Sequence, residues 1–179
     1  MINQTVASAH NVAVYKDYMP IKLHVYGAKL VDLGYFVKPA SLNYHGAYRG
    51  GLFDHSLVMT QHLVYLTEQL DLKWSRAESP YIVGMFHDLC KCDDYIYDEL
   101  EREFVRNDEP LLPGHGEKSV MMASRFTNLT DEEIMCIRWH MGAFDDSKNW
   151  NYYGKAVEKY PNVLYTHTAD MYASRIKGV

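Results

Sequence analysis

The sequence is short of positive charge. Lysine and arginine together number 18 against 23 aspartate and glutamate residues, which gives a formal net charge of -5 at pH 7. Proteins that bind long nucleic acid non-specifically usually present a basic surface. The charge balance therefore argues against long nucleic acid as a partner, while a local basic pocket for a small anion stays compatible with it.

Cysteine is scarce as well. Of the three cysteines, Cys90 and Cys92 flank Lys91 and the third is Cys136. An odd number at this spacing does not suit a disulfide framework, and the absence of a second cysteine pair argues against a zinc site. We expect small, partly buried residues in a reducing compartment.

Long apolar runs are also missing. No segment approaches the length of a membrane span, and the first residues lack the basic start and apolar run of a signal peptide. We therefore expect a cytoplasmic protein that does not contact a membrane. The 179 residues suffice for one well-buried core, and the composition does not suggest a second domain, so we predict a single domain over residues 1–179.

Helical patterns fill most of the chain. Apolar spacing predicts a first helix between Asn11 and Leu33, split near Pro20, and a strong amphipathic helix from Leu52 to Leu70. Capping signals and spacing predict four further helices, near 79–89, 114–126, 130–140 and 162–177. In the turn-rich segment 93–113, two short runs can pair as a small β-hairpin. The predicted fold class is all-α, with that hairpin following residue 88.

The pair His87-Asp88 is the centre of the sequence. An apolar helical run reaches these two residues, and Lys91 follows one turn later. Neighbouring helical residues point about 100° apart, so the pair can hold one ion only over the helix edge between them. Since one imidazole and one carboxylate hold a divalent ion weakly, other ligands are needed.

Four other residues can supply those ligands. They are His55, His115, His140 and Asp170, and successive candidates, counting His87, are about 25 to 32 residues apart, roughly one helix and one loop. The loop between Gly34 and Gly51 offers a different chemistry, because Arg49 can bind a phosphate and Tyr48 can stack on a base. A surface arginine in an ordinary loop is an equal alternative there, and His45 is a weaker ligand candidate.

With these residues identified, the chain resembles the HD-domain superfamily of metal-dependent phosphohydrolases. The resemblance rests on His55, His87-Asp88 and Asp170 in that order, with His115 and His140 at the positions that two-metal members use. Lys91 after the pair and Gly51-Leu52 before His55 strengthen it, and it covers about residues 50–176. Segments 114–120 and 137–142 look like those of a bacterial and phage-borne group within the superfamily.

The resemblance implies a compact helical HD-domain bundle and a ligand set. His55, His87, Asp88 and Asp170 would bind a first divalent metal, and Asp88 would bridge to a second held by His115 and His140. Mixed imidazole and carboxylate ligands suit Mn, Fe, Co, Ni or Zn better than Ca, and Mg is an alternative. Lys91 would neutralise phosphoryl charge or orient Asp88, with Arg49 or Lys118 binding phosphate at the rim.

The implied function is hydrolysis of a small phosphoester, foremost a nucleotide, by metal-activated hydroxide attack on phosphorus. Two alternatives stay open: a di-iron oxygenase of the same fold, and a non-catalytic module that binds a nucleotide or protein around a structural metal. The tyrosine content and the amphipathic first helix would suit a homodimer contact.

Overall fold

The computed structural model describes residues 2–111 and 114–179, with side chains from residue 8 onward. Its helices are α1 (Ile2–Tyr18), α2 (Gly27–Asp32), α3 (Gly51–Gln69), α4 (Ser79–Phe86), α5 (Lys91–Asp94), α6 (Gly116–Ala123), α7 (Asp131–Trp139), α8 (Trp150–Lys159) and α9 (Asn162–Met171). Short 3₁₀ helices cover Ile21–Tyr26, Gly142–Phe144 and Ser147–Asn149, and a π-helix, Tyr172–Lys177, continues α9. The two strands are β1 (Tyr95–Asp98) and β2 (Glu103–Arg106).

The architecture is mostly helical, as predicted. Helix accounts for 61% of the residues and strand for 5%. The strands pair antiparallel, with Tyr95 opposite Arg106 and Asp98 opposite Glu103, so the predicted hairpin is confirmed. Within the described ranges, no helix combines the length and apolarity needed to cross a membrane.

Proline sets two of the helix boundaries. The first helix ends at Tyr18, and Pro20 precedes the 3₁₀ helix, as expected because proline lacks the N–H that an α-helix interior requires. In α4, Pro80 occupies the first turn, where that N–H would be unpaired anyway. The predicted split of the first helix near Pro20 and the predicted helix start near residue 79 are both confirmed.

Helices α3 and α4 approach each other closely at a glycine. A Cβ on Gly84 would lie 2.7 Å from the Cα of Thr60 on α3. Only a residue without a side chain permits this approach, and the two helices carry His55 at the start of one and His87 at the end of the other. The contact therefore sets how near these two histidines lie.

A second glycine brings α6 against α7. A Cβ on Gly116 would be 2.8 Å from the carbonyl carbon of Arg138. Since His115 directly precedes Gly116 and His140 follows Arg138 by two residues, the close approach sets these two histidines side by side.

A buried carboxylate fixes α7 to the start of α4. Thr130 and Glu133 form the predicted capping box. The Glu133 carboxylate also accepts hydrogen bonds of 2.8 Å from Arg76 Nε, Arg76 Nη2 and Ser79 Oγ. A fully buried carboxylate is costly unless its oxygens are paired, so this network holds the two helices in one arrangement.

Candidate metal centre

The six predicted ligands converge from the ends of separate helices. His55 lies in the first turns of α3, His87 and Asp88 follow α4, His115 precedes α6, His140 follows α7, and Asp170 lies near the end of α9. His55 and His87 are fully buried, and Asp88, His140 and Asp170 are at most 9% exposed. Helix packing thus brings polar groups from more than 100 residues of sequence into one buried cluster.

Four of the ligand atoms form a first set. His55 Nε2 lies 3.0 Å from His87 Nε2 and 3.2 Å from Asp170 Oδ1. The other carboxylate, Asp88 Oδ2, lies 3.8 Å from His55 Nε2 and 3.7 Å from His87 Nε2. Ligands bound at about 2.0 to 2.2 Å from one ion lie about 3 Å apart when adjacent, so this first ligand set has the spacing of a metal site.

The second oxygen of Asp88 faces a different pair of histidines. Asp88 Oδ1 lies 3.0 Å from His115 Nε2 and 3.6 Å from His140 Nε2, and these two nitrogens are 3.0 Å apart. We call these three atoms the second ligand set. One carboxylate therefore presents one oxygen to each set, which is the arrangement required of a bridging ligand.

Backbone carbonyls determine which imidazole nitrogen carries the proton. The Nδ1 atoms of His55, His87 and His140 lie 2.9, 2.8 and 2.7 Å from the carbonyl oxygens of Val179, Gly84 and Ile137, respectively. A carbonyl oxygen can only accept, so each Nδ1 donates, and the Nε2 of a neutral ring is left with a free lone pair. The Nε2 atoms of His55 and His87 lie 3.0 Å apart, and two lone pairs at that distance are unfavourable unless a metal ion or a proton lies between them.

The cluster therefore fits a metal on its own chemistry. Three groups of ligand atoms lie within 4.8 Å of one another: His55 with His87 and Asp170, His87 with Asp88 and His140, and Asp88 with Cys90 and His115. Moreover, Asp88 Oδ1 is buried without a hydrogen-bond partner among the described residues. A buried carboxylate oxygen in that state is costly, and a bound cation would satisfy it.

The charges of the cluster are strongly coupled. Burial alone would raise the pKa of Asp88, but Lys91 and the surrounding histidines outweigh it and hold that pKa well below its usual range. Burial opposes charge on Lys91 in the same way, yet the Asp88 carboxylate raises the pKa of Lys91 above its usual value. Asp88 and Lys91 therefore form an ionised pair at neutral pH.

The side chains of the first ligand set differ in their pKa values. Burial lowers the pKa of His87 to about 3. The hydrogen bond to Asp170 and the charge of Asp88 overcome burial at His55 and raise its pKa. The pKa of Asp170 falls to about 2, because His55 and its neighbours outweigh the opposing effect of burial. Without a metal, His55 is thus the ring of this set that takes up a proton.

The three cysteines are free and buried, as expected. Burial raises the pKa of the Cys90 thiol well above its usual value, so this sulfur stays protonated. Its Sγ lies 3.1 Å from His115 Nδ1 and supports the far side of that ring. His167 supports the second set similarly, with Nδ1 2.7 Å from the His140 carbonyl oxygen.

A cavity of about 500 Å³, which we call the metal cavity, opens onto the cluster. Lys91 lines it beside Asp88, and Arg175 lies on its wall with its guanidinium carbon 5.6 Å from the centroid of the Phe144 ring. Met141 and Met171 add apolar surface. The cavity has the size of a small-molecule site, with charge near the ligands and apolar groups on the wall.

Carboxylates outnumber cations around this cavity. The lining residues include five carboxylates, Asp88, Glu117, Asp145, Asp146 and Asp170, against the permanent cations Lys91 and Arg175. Arg138 offsets part of the excess, since it contacts Glu117 and Asp145 at 2.5 and 2.7 Å. The chain alone therefore disfavours an anionic ligand here, and divalent cations would be needed to attract one.

Three residues predicted to bind substrate lie elsewhere. Lys118 is fully buried, and its ammonium contacts Asp94 Oδ1 at 2.7 Å and also Asp93. Arg49 and Tyr48 line a separate cavity beside the β-hairpin. The structure therefore does not place Arg49 or Lys118 at the rim to bind phosphate, nor Tyr48 where it could stack on a base there. Lys118 is held in a buried ion pair, and the loop carries Arg49 and Tyr48 away from the metal cavity.

The segment 93–113 follows the pair His87-Asp88 in the sequence, and that position would suit a wall or lid over the site. Its described residues, 93–111, do not line the metal cavity, whereas Gly114 and His115 do. Leu112 and Pro113 lie outside the described residues. The hairpin instead packs beside the loop that contains Arg49.

The sequence did not identify Ser174, Arg175 and Phe144, which line the metal cavity. His45 also lines this cavity, although it was the weaker ligand candidate in the sequence. Ser174 and Arg175 had a usable signal, because they follow Asp170 by four and five residues on a continuing helix. The His45 ring packs 4.9 Å from that of His55. Phe144 gave no such signal, since only folding brings its loop to the end of α9.

Comparison with models of protein families finds no match for this chain, and comparisons with curated proteins and with solved structures find none either. The fold and the cluster are therefore interpreted from their own chemistry.

Proposed function

We propose that this chain is a metal-dependent phosphohydrolase of the HD type that acts on a small phosphoester, foremost a nucleotide. The observation that carries the proposal is the division of Asp88, with one carboxylate oxygen toward each of two ligand sets. Bound there, one or two divalent ions would lower the pKa of water and withdraw charge from a phosphoryl oxygen. The same ligand sets resemble those of the HD superfamily residue by residue.

The ligand residues would hold the ions in two groups. His55, His87 and Asp170 with Asp88 Oδ2 would form the first site, and His115 and His140 with Asp88 Oδ1 the second. The donated Nδ1 protons keep the three carbonyl-bound rings oriented, so little rearrangement is required on binding. Imidazole and carboxylate together favour Mn, Fe, Co, Ni or Zn, with Mg as a weaker fit.

Lys91 has the role of a fixed cation beside the bridging carboxylate. Its raised pKa keeps it charged through the neutral range. From the cavity wall it can contact a non-bridging phosphoryl oxygen and stabilise the charge that develops there. We expect Lys91→Met to retain metal and to lower kcat by about 100-fold, within the range found when one such donor is removed.

Phe144 and Arg175 support a substrate with a flat group. The guanidinium of Arg175 lies over the Phe144 ring, and 56% of Phe144 is exposed. A nucleobase can stack on this surface while its phosphate points toward Lys91. We expect Phe144→Ala to raise KM for a nucleotide by about tenfold, as stacking contributes roughly 1 to 3 kcal/mol per base, with kcat little changed. Trp150→Ala, an exposed aromatic outside the cavity lining, is the matched control.

The deciding experiment measures metal content of the purified protein together with phosphate release from a nucleotide panel under added Mn, Co, Ni and Mg. About two metals per chain with release supports the binuclear hydrolase, and about one metal with release confines the chemistry to the first ligand set. His62→Ala should change neither quantity, because His62 stacks on Tyr172 away from the cluster.

Two results would overturn the proposal. Bound iron with oxygen-dependent turnover and no phosphate release would indicate an oxygenase. Bound metal without turnover of any substrate in the panel would indicate the binding module.

A further inference from the structure

A second cavity, which we call the hairpin cavity, lies between the loop at residues 39–49 and the β-hairpin. Its volume is about 370 Å³, and its lining residues are distinct from those of the metal cavity. Arg49 comes from the loop, and Arg102 with Glu103 comes from the hairpin. Among the described lining residues, two arginines thus face a single carboxylate, which is the opposite balance to that of the metal cavity.

Arg49 is held in place but incompletely paired. Its guanidinium carbon lies 5.8 Å from the centroid of the Tyr97 ring and 5.7 Å from that of Phe104. Its Nε is buried without a hydrogen-bond partner among the described residues. Two aromatic rings restrict the side chain at little entropic cost, while a buried charged donor without an acceptor is unfavourable. An acceptor from outside the described chain would remove that cost.

Arg102 lies at the turn of the hairpin in an unusual backbone conformation. Its φ angle is 59°, in the left-handed region that favours glycine and asparagine. The side chain is exposed and lines the same cavity as Arg49.

We propose that the hairpin cavity binds a small oxyanion of the phosphate class, independently of the metal centre. Because Nε is closed to solvent, the Arg49 side chain would shift on binding and then donate Nε and one Nη to two oxygens of the anion, the geometry for which a guanidinium is suited. Arg102 would add charge at the mouth. The ligand can be free phosphate or the phosphate group of a larger molecule, since both present the same oxygens.

The test uses metal-free, chelator-treated protein, in which the carboxylate excess of the metal cavity disfavours anions. Inorganic phosphate is titrated by calorimetry into the wild type and into Arg49→Met, Arg102→Gln and Lys91→Met. We expect the wild type to bind phosphate. The Kd should be at least about tenfold higher for Arg49→Met, because the variant loses a charged hydrogen-bonding group. The Kd should rise less for Arg102→Gln and should not change for Lys91→Met. Arg125→Gln, an exposed arginine elsewhere, is the matched control.

Three outcomes would overturn the proposal: no phosphate binding by the wild type, an unchanged Kd in both hairpin-cavity variants, or a loss of binding confined to Lys91→Met. If circular dichroism shows that Arg49→Met does not fold, Arg49→Lys and Arg102→Gln decide the test. Lysine keeps the positive charge at position 49, and Arg102 is exposed, so both variants disturb the packing less.

Titration with AMP and adenosine separates the sources of the anion. Tighter binding of AMP than of phosphate indicates a phosphorylated ligand, equal binding indicates free phosphate, and adenosine binding without phosphate binding refutes the oxyanion assignment.

Discussion

Replacing Asp88 by asparagine distinguishes the charge that metal binding needs at this position from the side-chain shape that packing needs. The change keeps the shape of the side chain but removes its charge and turns one of its two ligand oxygens into an amide nitrogen. Because the two oxygens face different ligand sets, asparagine can serve one set at most. We expect the metal content to fall below that of the wild type, to one ion per chain or none if the wild type holds two.

The same substitution has a distinctive effect on stability. At a free metal concentration of 100 Kd, binding at one site stabilises the wild type by about 2.7 kcal/mol. For a chain of this length, about 2 to 4 °C per kcal/mol converts this to a rise in Tm of roughly 5 to 11 °C. The asparagine variant should lose most of that rise. Its metal-free form should be less stable than the wild type, because the partly buried Lys91 ammonium loses the carboxylate with which it is paired.

The assay is thermal unfolding with and without added Mn or Co, together with metal analysis of the dialysed protein. Asp32→Asn, an exposed carboxylate outside the cluster, is the matched control and should behave as the wild type. If the Asp88→Asn protein kept two metals and the full rise in Tm, the reasoning about a bridging carboxylate would be wrong. A metal-free variant as stable as the wild type would contradict the assignment of Asp88 and Lys91 as an ionised pair.

Three further predictions concern the supports of the site. Gly84→Ala should destabilise the fold by about 1 to 3 kcal/mol and weaken metal binding, because the new methyl group forces α3 and α4 apart. The control is Gly154→Ala, whose Cβ would meet nothing within 4 Å, and it should be neutral or stabilising in chemical denaturation. Lys118→Met should lower the free energy of unfolding by about 3 kcal/mol, because it leaves two carboxylates without their buried cation. The metal content of the folded Lys118→Met protein should be unchanged. As the control, Lys148→Met on the surface should not lower the free energy of unfolding. In metal-free protein the low pKa of His87 contributes stability that is present above about pH 6.5 and lost as pH falls toward 3, because the unfolded chain then binds a proton that the folded chain does not. His87→Gln should therefore lose stability less steeply than the wild type over that range, and equal slopes would contradict the assignment.

Local patterns in the sequence were sufficient for the helices and for the identity of the cluster residues. The Thr130 capping box, the split at Pro20 and the pairing of the hairpin strands are short-range features, and each follows from the spacing of neighbouring residues. Likewise, the pair His87-Asp88 became recognisable as a ligand pair through the ordered set of His55, His115, His140 and Asp170 around it, before any tertiary contact was known.

Other properties of the site depend on contacts between distant segments. Arg49 and Lys118 look like phosphate ligands in sequence, yet an aromatic pair holds one and a buried ion pair holds the other. Arg175 and Phe144 gain their position only when α9 packs beside the loop after α7.

By itself, then, the sequence determined the helical class of this protein and the six residues with the chemistry to bind metal, because periodicity, caps and side-chain type are local. The tertiary structure alone decided that the two oxygens of Asp88 face His55 and His115, respectively, and that His55 carries its proton on the nitrogen that faces the Val179 carbonyl. Those properties arise from helix packing over separations of about 25 residues or more, where no local rule applies.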